Sequence, residues 1–228
     1  MDEMDKKDAL DTFVLLRVEG LKKFTKVLVV LLIICLLVNT LRVVFFVLQL
    51  NLLYSLPVAM EDAVANRTRL AIASVLMTFS FLVGFVLFFI WIYKASWLSR
   101  EISPHGVSFS PGWAVAWFFI PLANLIMPFF VLNELWKVSV DPVNWPKRPG
   151  NKLLLICWLV ILFSPILGLI GMRKVISPIS VENLRTGTWF FIIKGIIDNI
   201  LIILFMVFVV KVSNNLKMNF TKVMTGVF

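Results

Sequence analysis

Residues 109–136 read FSPGWAVAWFFIPLANLIMPFFVLNELW, and this stretch decides how the chain is to be folded. It is apolar enough to enter a membrane, yet Pro121 and Pro128 interrupt it around a polar step at Pro121-Leu122-Ala123-Asn124. A continuous lipid-facing helix rarely tolerates that combination, because backbone groups freed by proline need partners in protein or water. The expected local structure is helix, break, helix. Ser110 can cap, and Pro111 takes a first-turn position where a missing N–H costs nothing. Trp113, Trp117 and Phe118 follow until Pro121 interrupts. A second helix runs from Leu125 past Pro128 to Asn133, Glu134, Trp136 and Lys137, an aromatic and charged edge suited to a membrane interface. Two geometries fit: a re-entrant segment that dips and returns, or a kinked helix that crosses.

Working outward, composition fixes the class. Of 228 residues 60% are hydrophobic and 15% charged, too apolar for a soluble domain of this size. Spanning a bilayer core takes ~20 apolar residues. Uncharged runs of that order recur at Leu70–Tyr93 (24 residues), Ala114–Leu132 (19) and Leu153–Met172 (20). Two further segments, Val27–Leu50 and Trp189–Val210, are long enough but carry internal polar residues. The expected fold class is all-α: a polytopic helical membrane protein of four full spans plus a proline-broken, re-entrant or kinked fifth hydrophobic segment. The segments fall at about 27–50, 70–93, 111–136, 153–176 and 189–210, within a helical membrane domain over 27–212. The net charge of +9 is read as lysine and arginine at helix ends beside anionic lipid, with no nucleic acid implied.

Residues 1–26 are expected to form a cytoplasmic amphipathic helix, with Leu10, Phe13, Val14, Val18, Leu21 and Phe24 at helical spacing and Lys22, Lys23 and Lys26 near the bilayer. Asp8 is its expected cap. The helix suits the membrane surface or a partner. Residues 213–228 are expected to form a similar amphipathic tail, its stripe starting at Val212 and running through Leu216, Met218, Phe220 and Val223, alternating with Lys217 and Lys222. Val27–Leu50 is expected to act as an uncleaved first span. Cys35 and Cys157 lie in apolar runs without paired spacing and read as buried residues. His105 is the only histidine, and its place in a loop suggests a solvated side chain.

Charge bias addresses topology, placing the N-terminus in the cytoplasm. With five crossings, 11 lysines and arginines lie inside and 9 outside. With a re-entrant 109–136 segment, 15 lie inside and 5 outside, a clear positive-inside pattern. The same topology sets depths. Arg42 lies ~22 Å and Asp198 ~18 Å from the cytoplasmic side at 1.5 Å per residue, close enough to pair. Five crossings would leave an axial gap of ~9 Å.

The central stretch, preceded by Trp91-Ile92-Tyr93-Lys94-Ala95, resembles the signature of a bacterial domain-of-unknown-function family of small multi-span membrane proteins. That signature runs as W-L-Y-R-A, S-P-G-W-A-V-G-W, P-I-A-N-L, P-Y-Q and E-L-W. The resemblance covers about Leu70 to Phe163, with its core at Phe109–Trp136. Pro111, Gly112, Trp113, Ala114, Val115, Trp117, Pro121, Ala123, Asn124, Leu125, Pro128, Glu134, Leu135 and Trp136 carry it. Ala116, Phe129 and Leu98 depart from it, standing at or near a usual glycine, tyrosine and asparagine. The resemblance implies an architecture and a bacterial inner (cytoplasmic) membrane location, and brings no activity.

Catalysis needs convergent polar groups. The sequence holds no HExxH, Gly-x-Ser-x-Gly or P-loop pattern, and no metal or other cofactor is expected. Trp113, Trp117, Pro121, Asn124, Pro128, Glu134 and Trp136 form the candidate partner or substrate surface, with Asn124 expected to be buried at the break. The alternative is that the tryptophans are interfacial anchors only. Asn39, Arg42, Lys194, Asp198 and Asn199 are intramembrane polar residues, which mark function or pairing. Lys194 and Asp198, one turn apart, could satisfy each other. The reading that follows is a non-enzymatic integral membrane protein acting through the lipid bilayer and a protein partner or homo-oligomer, in an accessory, sensory or immunity-like role. The alternative is an oligomeric small-solute or ion channel or transporter using the broken segment.

Overall fold

The computed structural model describes the backbone of residues 3–55, 57, 59–177 and 180–224, and side chains from Leu16 to Val223 within those ranges. It contains four long helices, α1 (Glu3–Tyr54), α2 (Met60–Ile102), α5 (Lys152–Ile176) and α6 (Val181–Met224). Between α2 and α5 come the short α3 (Pro111–Ala116) and α4 (Met127–Val140), with single 3-10 turns at Ala123–Leu125 and Trp145–Lys147. Among the described residues there is no strand.

The helix ends follow capping chemistry. Ser110, Asn151 and Ser180 accept the backbone N–H groups of Trp113, Leu154 and Asn183, at 3.4, 3.1 and 3.1 Å. Glu61 and Asp62 open α2, while Arg173 and Lys174 close α5, each complementing the helix dipole. All four long helices are long and apolar enough to cross a membrane. At 1.5 Å per residue, α1, α2 and α6 reach ~78, ~65 and ~66 Å, at least twice a ~30 Å bilayer core.

Two expectations change here. No break separates an N-terminal amphipathic helix from the first span, because α1 is continuous from Glu3 to Tyr54. Residues 20–30, GLKKFTKVLVV, hold one glycine and no proline, so nothing stops helix propagation. Asp8 lies inside α1 rather than capping it. The side chains of Leu10, Phe13 and Val14 fall outside the described residues. Likewise α6 runs through the expected tail to Met224.

The chain divides into two compact units. The first comprises residues 1–30, 85–155 and 207–228. Its core takes one face from each of four helices: Leu21 and Leu28 from α1, Trp91, Ala95 and Leu98 from α2, Val131, Leu135 and Val138 from α4, Val209, Val212 and Leu216 from α6. The three- and four-residue spacings within α2, α4 and α6 mark the buried stripe of an amphipathic helix. Trp91 is fully buried, and its indole N–H donates to Ser213 Oγ at 2.9 Å. Thr25 Oγ1 donates to Leu21 O at 2.8 Å, so in the 2.9 Å contact between the two hydroxyls Ser213 is the donor. One relay thus ties α2 to α6 and α6 to α1.

The second unit comprises residues 31–84 and 156–206. Large apolar side chains such as Phe79, Leu82, Phe163 and Leu169 are more than half exposed. Its helices approach through small residues, as helices do in lipid. A Cβ on Gly195 would collide with Val43 Cγ2, and one on Gly187 would lie 2.9 Å from Gly171 O. Phe46 and Phe191 stack with centroids 5.1 Å apart.

Candidate functional site

In the first unit, residues 109–136 form the helix-break-helix that the prolines dictate. After α3 the chain turns through Trp117–Leu122 and restarts at Met127. Leu122 carries the bend with φ 65°, a left-handed conformation that costs a branched side chain energy, and its side chain is 80% exposed. The two ends of the segment meet. Glu134, 8% exposed, accepts the backbone N–H of Ser108 at 2.9 Å and of Phe109 at 3.2 Å. An unbroken helix over those 26 residues would hold the groups ~39 Å apart. The segment therefore folds back on itself.

Flanking loops lock the same closure. Ser103 Oγ, with one proton to donate, lies 2.9 Å from Gly106 O and 3.2 Å from Pro142 O, and Trp145 Nε1 donates to Gly106 O at 3.1 Å. Asn133 Oδ1 accepts the N–H of Asn151 at 2.9 Å. Asp141 accepts the N–H of Asn144 and pairs with Arg148 at 3.3 Å. That backbone donor first, and the guanidinium with it, hold the Asp141 carboxyl below the usual aspartate range.

The candidate surface residues part company. Asn124 is exposed rather than buried, because the turn places it outside the packed face of α4. Trp113 is 53% exposed and its ring lies 5.2 Å from that of Trp117. Trp117 Nε1 is buried without a hydrogen-bond partner. Pro121 is exposed and Pro128 buried. Trp136 stacks on Phe208 at 6.2 Å with the Lys211 ammonium 5.0 Å over its ring, beside the end of the α6 apolar run. Glu134 turns inward, since two consecutive N–H groups before Ser110 have no helical acceptor. Trp113, Phe119, Leu122, Ile126 and Phe130 present an exposed apolar tip. Phe118 and Phe119 pack on Phe89 at 5.3 and 4.9 Å.

In the second unit the intramembrane polar residues converge. Asn39, fully buried, donates to Gly195 O and to Asn199 Oδ1, both at 2.8 Å, and accepts from Arg42 Nη2 at 2.8 Å. Asn199 donates to Thr40 Oγ1 at 3.1 Å. Arg42 and Asp198 lie 3.9 Å apart, Lys194 also pairs with Asp198, and Ser164 Oγ donates to the same carboxylate at 3.0 Å. Local and interhelical pairing therefore coexist. Two cations share one carboxylate, and Arg42 Nε is buried without a partner. The cluster stitches α1, α5 and α6. Sequence reasoning missed Gly195, whose lack of a Cβ lets the α1 amide reach the α6 carbonyl, and Ser164, whose neighbour Pro165 was the available signal. It also missed Arg185, whose guanidinium donates to Leu53 O at 2.6 Å and lies over the Tyr54 ring.

Cys35 is buried, Cys157 half-buried and His105 exposed. Among the described residues no three His, Cys, Asp or Glu side chains converge as a metal set. A family model described as Domain of unknown function (DUF4328) matches residues 55–214. Neither a curated protein nor a solved structure matches the chain.

Proposed function

The chain belongs to the DUF4328 family, and from that premise we propose that it is a multi-pass protein of the bacterial inner membrane that works by binding rather than catalysis. Four helices span. The N-terminus, residues 103–151 and the end of α6 share the cytoplasmic side, and the 109–136 segment is re-entrant. Its apolar tip dips toward lipid and offers a surface to a protein partner or a second copy in an accessory, sensory or immunity-like role.

The observation that carries this reading is the contact of Glu134 with the Ser108 and Phe109 amides. It draws the two ends of the segment together, which supports a return to the starting side, the arrangement in which the charge count gives 15 inside and 5 outside. Phe118 and Phe119 pack on Phe89, about four residues, ~6 Å, from the inner end of the α2 apolar run at Tyr93, which supports a shallow dip.

Single cysteines at Ser108 and Asn144, both exposed, test the topology. Both should label from the cytoplasmic side; Asn144 labelling from outside would overturn it. A photoreactive residue at Leu122 tests the binding role, with crosslinks expected to protein or to a second copy. Lipid adducts alone would leave the tip as a membrane anchor and remove the partner surface.

An oligomeric channel or transporter is the second reading, favoured by the Arg42–Asp198–Lys194 layer in otherwise apolar helices. Its acidic member is already shared between two cations, which suits packing better than conduction.

A further inference from the structure

We propose that the groove between α1 and α6 in the first unit binds an anionic phospholipid. The proposal rests on the membrane reading above for its boundaries, and goes beyond it in naming a site and its ligand. The groove has a volume of about 420 Å³, within the ~300–1,000 Å³ usual for small-ligand sites. It straddles the place where both helices change character: on α1 the apolar run starts at Val27, and on α6 it ends at Val210.

The lining is graded across that boundary. Val29, Val30 and Val210 line the membrane side; the exposed Lys22, Lys26 and Lys217 line the other, over a floor that includes the buried Val18 and Leu21. No carboxylate lines it, and among the described residues none forms an ion pair with these three lysines. The three exposed ammonium groups come from two helices held together by the Ser213–Thr25 hydroxyl contact, which forms part of the groove wall. A rigid apolar trough opening onto convergent positive charge is complementary to acyl chains below a phosphodiester. Basic recesses between helices at the cytoplasmic face bind such headgroups by this combination. A free anion would gain nothing from the valines, and a zwitterionic lipid would set its own ammonium against the lysines. The occupant that uses both is a phospholipid of net negative charge, such as phosphatidylglycerol.

The test uses the full chain purified in neutral detergent, with retained lipid counted by native mass spectrometry. Phosphatidylglycerol is titrated against phosphatidylcholine of the same chains, with inorganic phosphate as competitor. The protein should retain phosphatidylglycerol preferentially, and phosphate should not displace it. The combined variant Lys22→Gln, Lys26→Gln and Lys217→Gln should weaken retention at least about tenfold. Lys23→Gln, Lys147→Gln and Lys152→Gln together remove equal charge from exposed positions outside the groove and should leave it unchanged. Val30→Trp, at an exposed position, should also weaken retention by filling the apolar end with every lysine in place. Equal losses in the two triple variants, displacement by phosphate, or equal retention of phosphatidylcholine would each overturn the site. Cysteine labelling at 108 and 144 is independent of these outcomes, so a failed groove and a failed topology are told apart.

Discussion

Glu134 Oε2 accepts the backbone N–H of Ser108 at 2.9 Å, and its other oxygen takes the next N–H along the chain. Glu134→Ala removes the charged acceptor of both amides from a part-buried setting. A loss on the order of 2–4 kcal/mol follows from hydrogen bonds to a charged group. Glu134→Gln keeps one carbonyl acceptor and should lose less. Unfolding of the purified chain in a denaturing-detergent titration measures both, and equal stability of the Glu134→Ala variant and the wild-type protein would contradict the clasp.

Asp198 serves both Arg42 and Lys194. Removing it by Asp198→Ala strands two cations among apolar helices, at a cost on the order of 3–5 kcal/mol. Lys194→Met leaves Arg42 its carboxylate and should cost clearly less. The ordering of the two variants in the same titration is the check; a reversed order refutes the assignment of Asp198 as the shared partner.

Gly195 and Gly187 should respond differently to the same change. A Cβ on Gly195 meets a side-chain methyl of Val43, so Gly195→Ala destabilises and Val43→Ala should restore much of the loss. A Cβ on Gly187 meets the backbone carbonyl of Gly171 as well as Val175. Trimming Val175 in a Gly187→Ala background should therefore rescue little. Comparable rescue at both sites would show that the backbone approach is not limiting.

The loop at 141–148 should loosen in acid. The folded-state Asp141 carboxyl is lowered, by the Asn144 N–H first and Arg148 with it. Its contribution is thus present above the ordinary aspartate range and is lost as pH falls through the lowered folded value. Trp145, which donates to Gly106 O, reports the change by fluorescence. Asp141→Asn should abolish this acid step; a step that survives the substitution belongs to another group.

Much of the architecture was legible because membrane physics is written in composition and proline. The four apolar runs, the Ser110 cap and a break around Pro121 follow from local rules, although the first helix already ends at Ala116, and the depth argument placed Arg42 beside Asp198. What stayed hidden depends on partners distant in sequence. Asn39 reads as an isolated polar residue until Gly195 and Asn199 face it from 156 and 160 residues away. Glu134 reads as an interfacial charge until the loop before Ser110 supplies two amides. Asn124 invites burial by its setting, but a turn built at Leu122 faces it outward. The continuity of α1 was masked by charge alone, since lysines mark a change of solvent without ending a helix.

The Asn39 contacts also set an order on biosynthesis. The Glu134 clasp closes within residues 108–134, so it can form while α5 is still unmade. Asn39 instead waits for Gly195, 156 residues later. At ~5–20 residues per second of synthesis that delay is about 8–30 s. Throughout it, the first span holds an amide and a guanidinium that can bond to each other but whose α6 partners do not yet exist. Assembly of the second unit is therefore post-insertional by construction, whereas the hairpin is complete before the third long helix emerges.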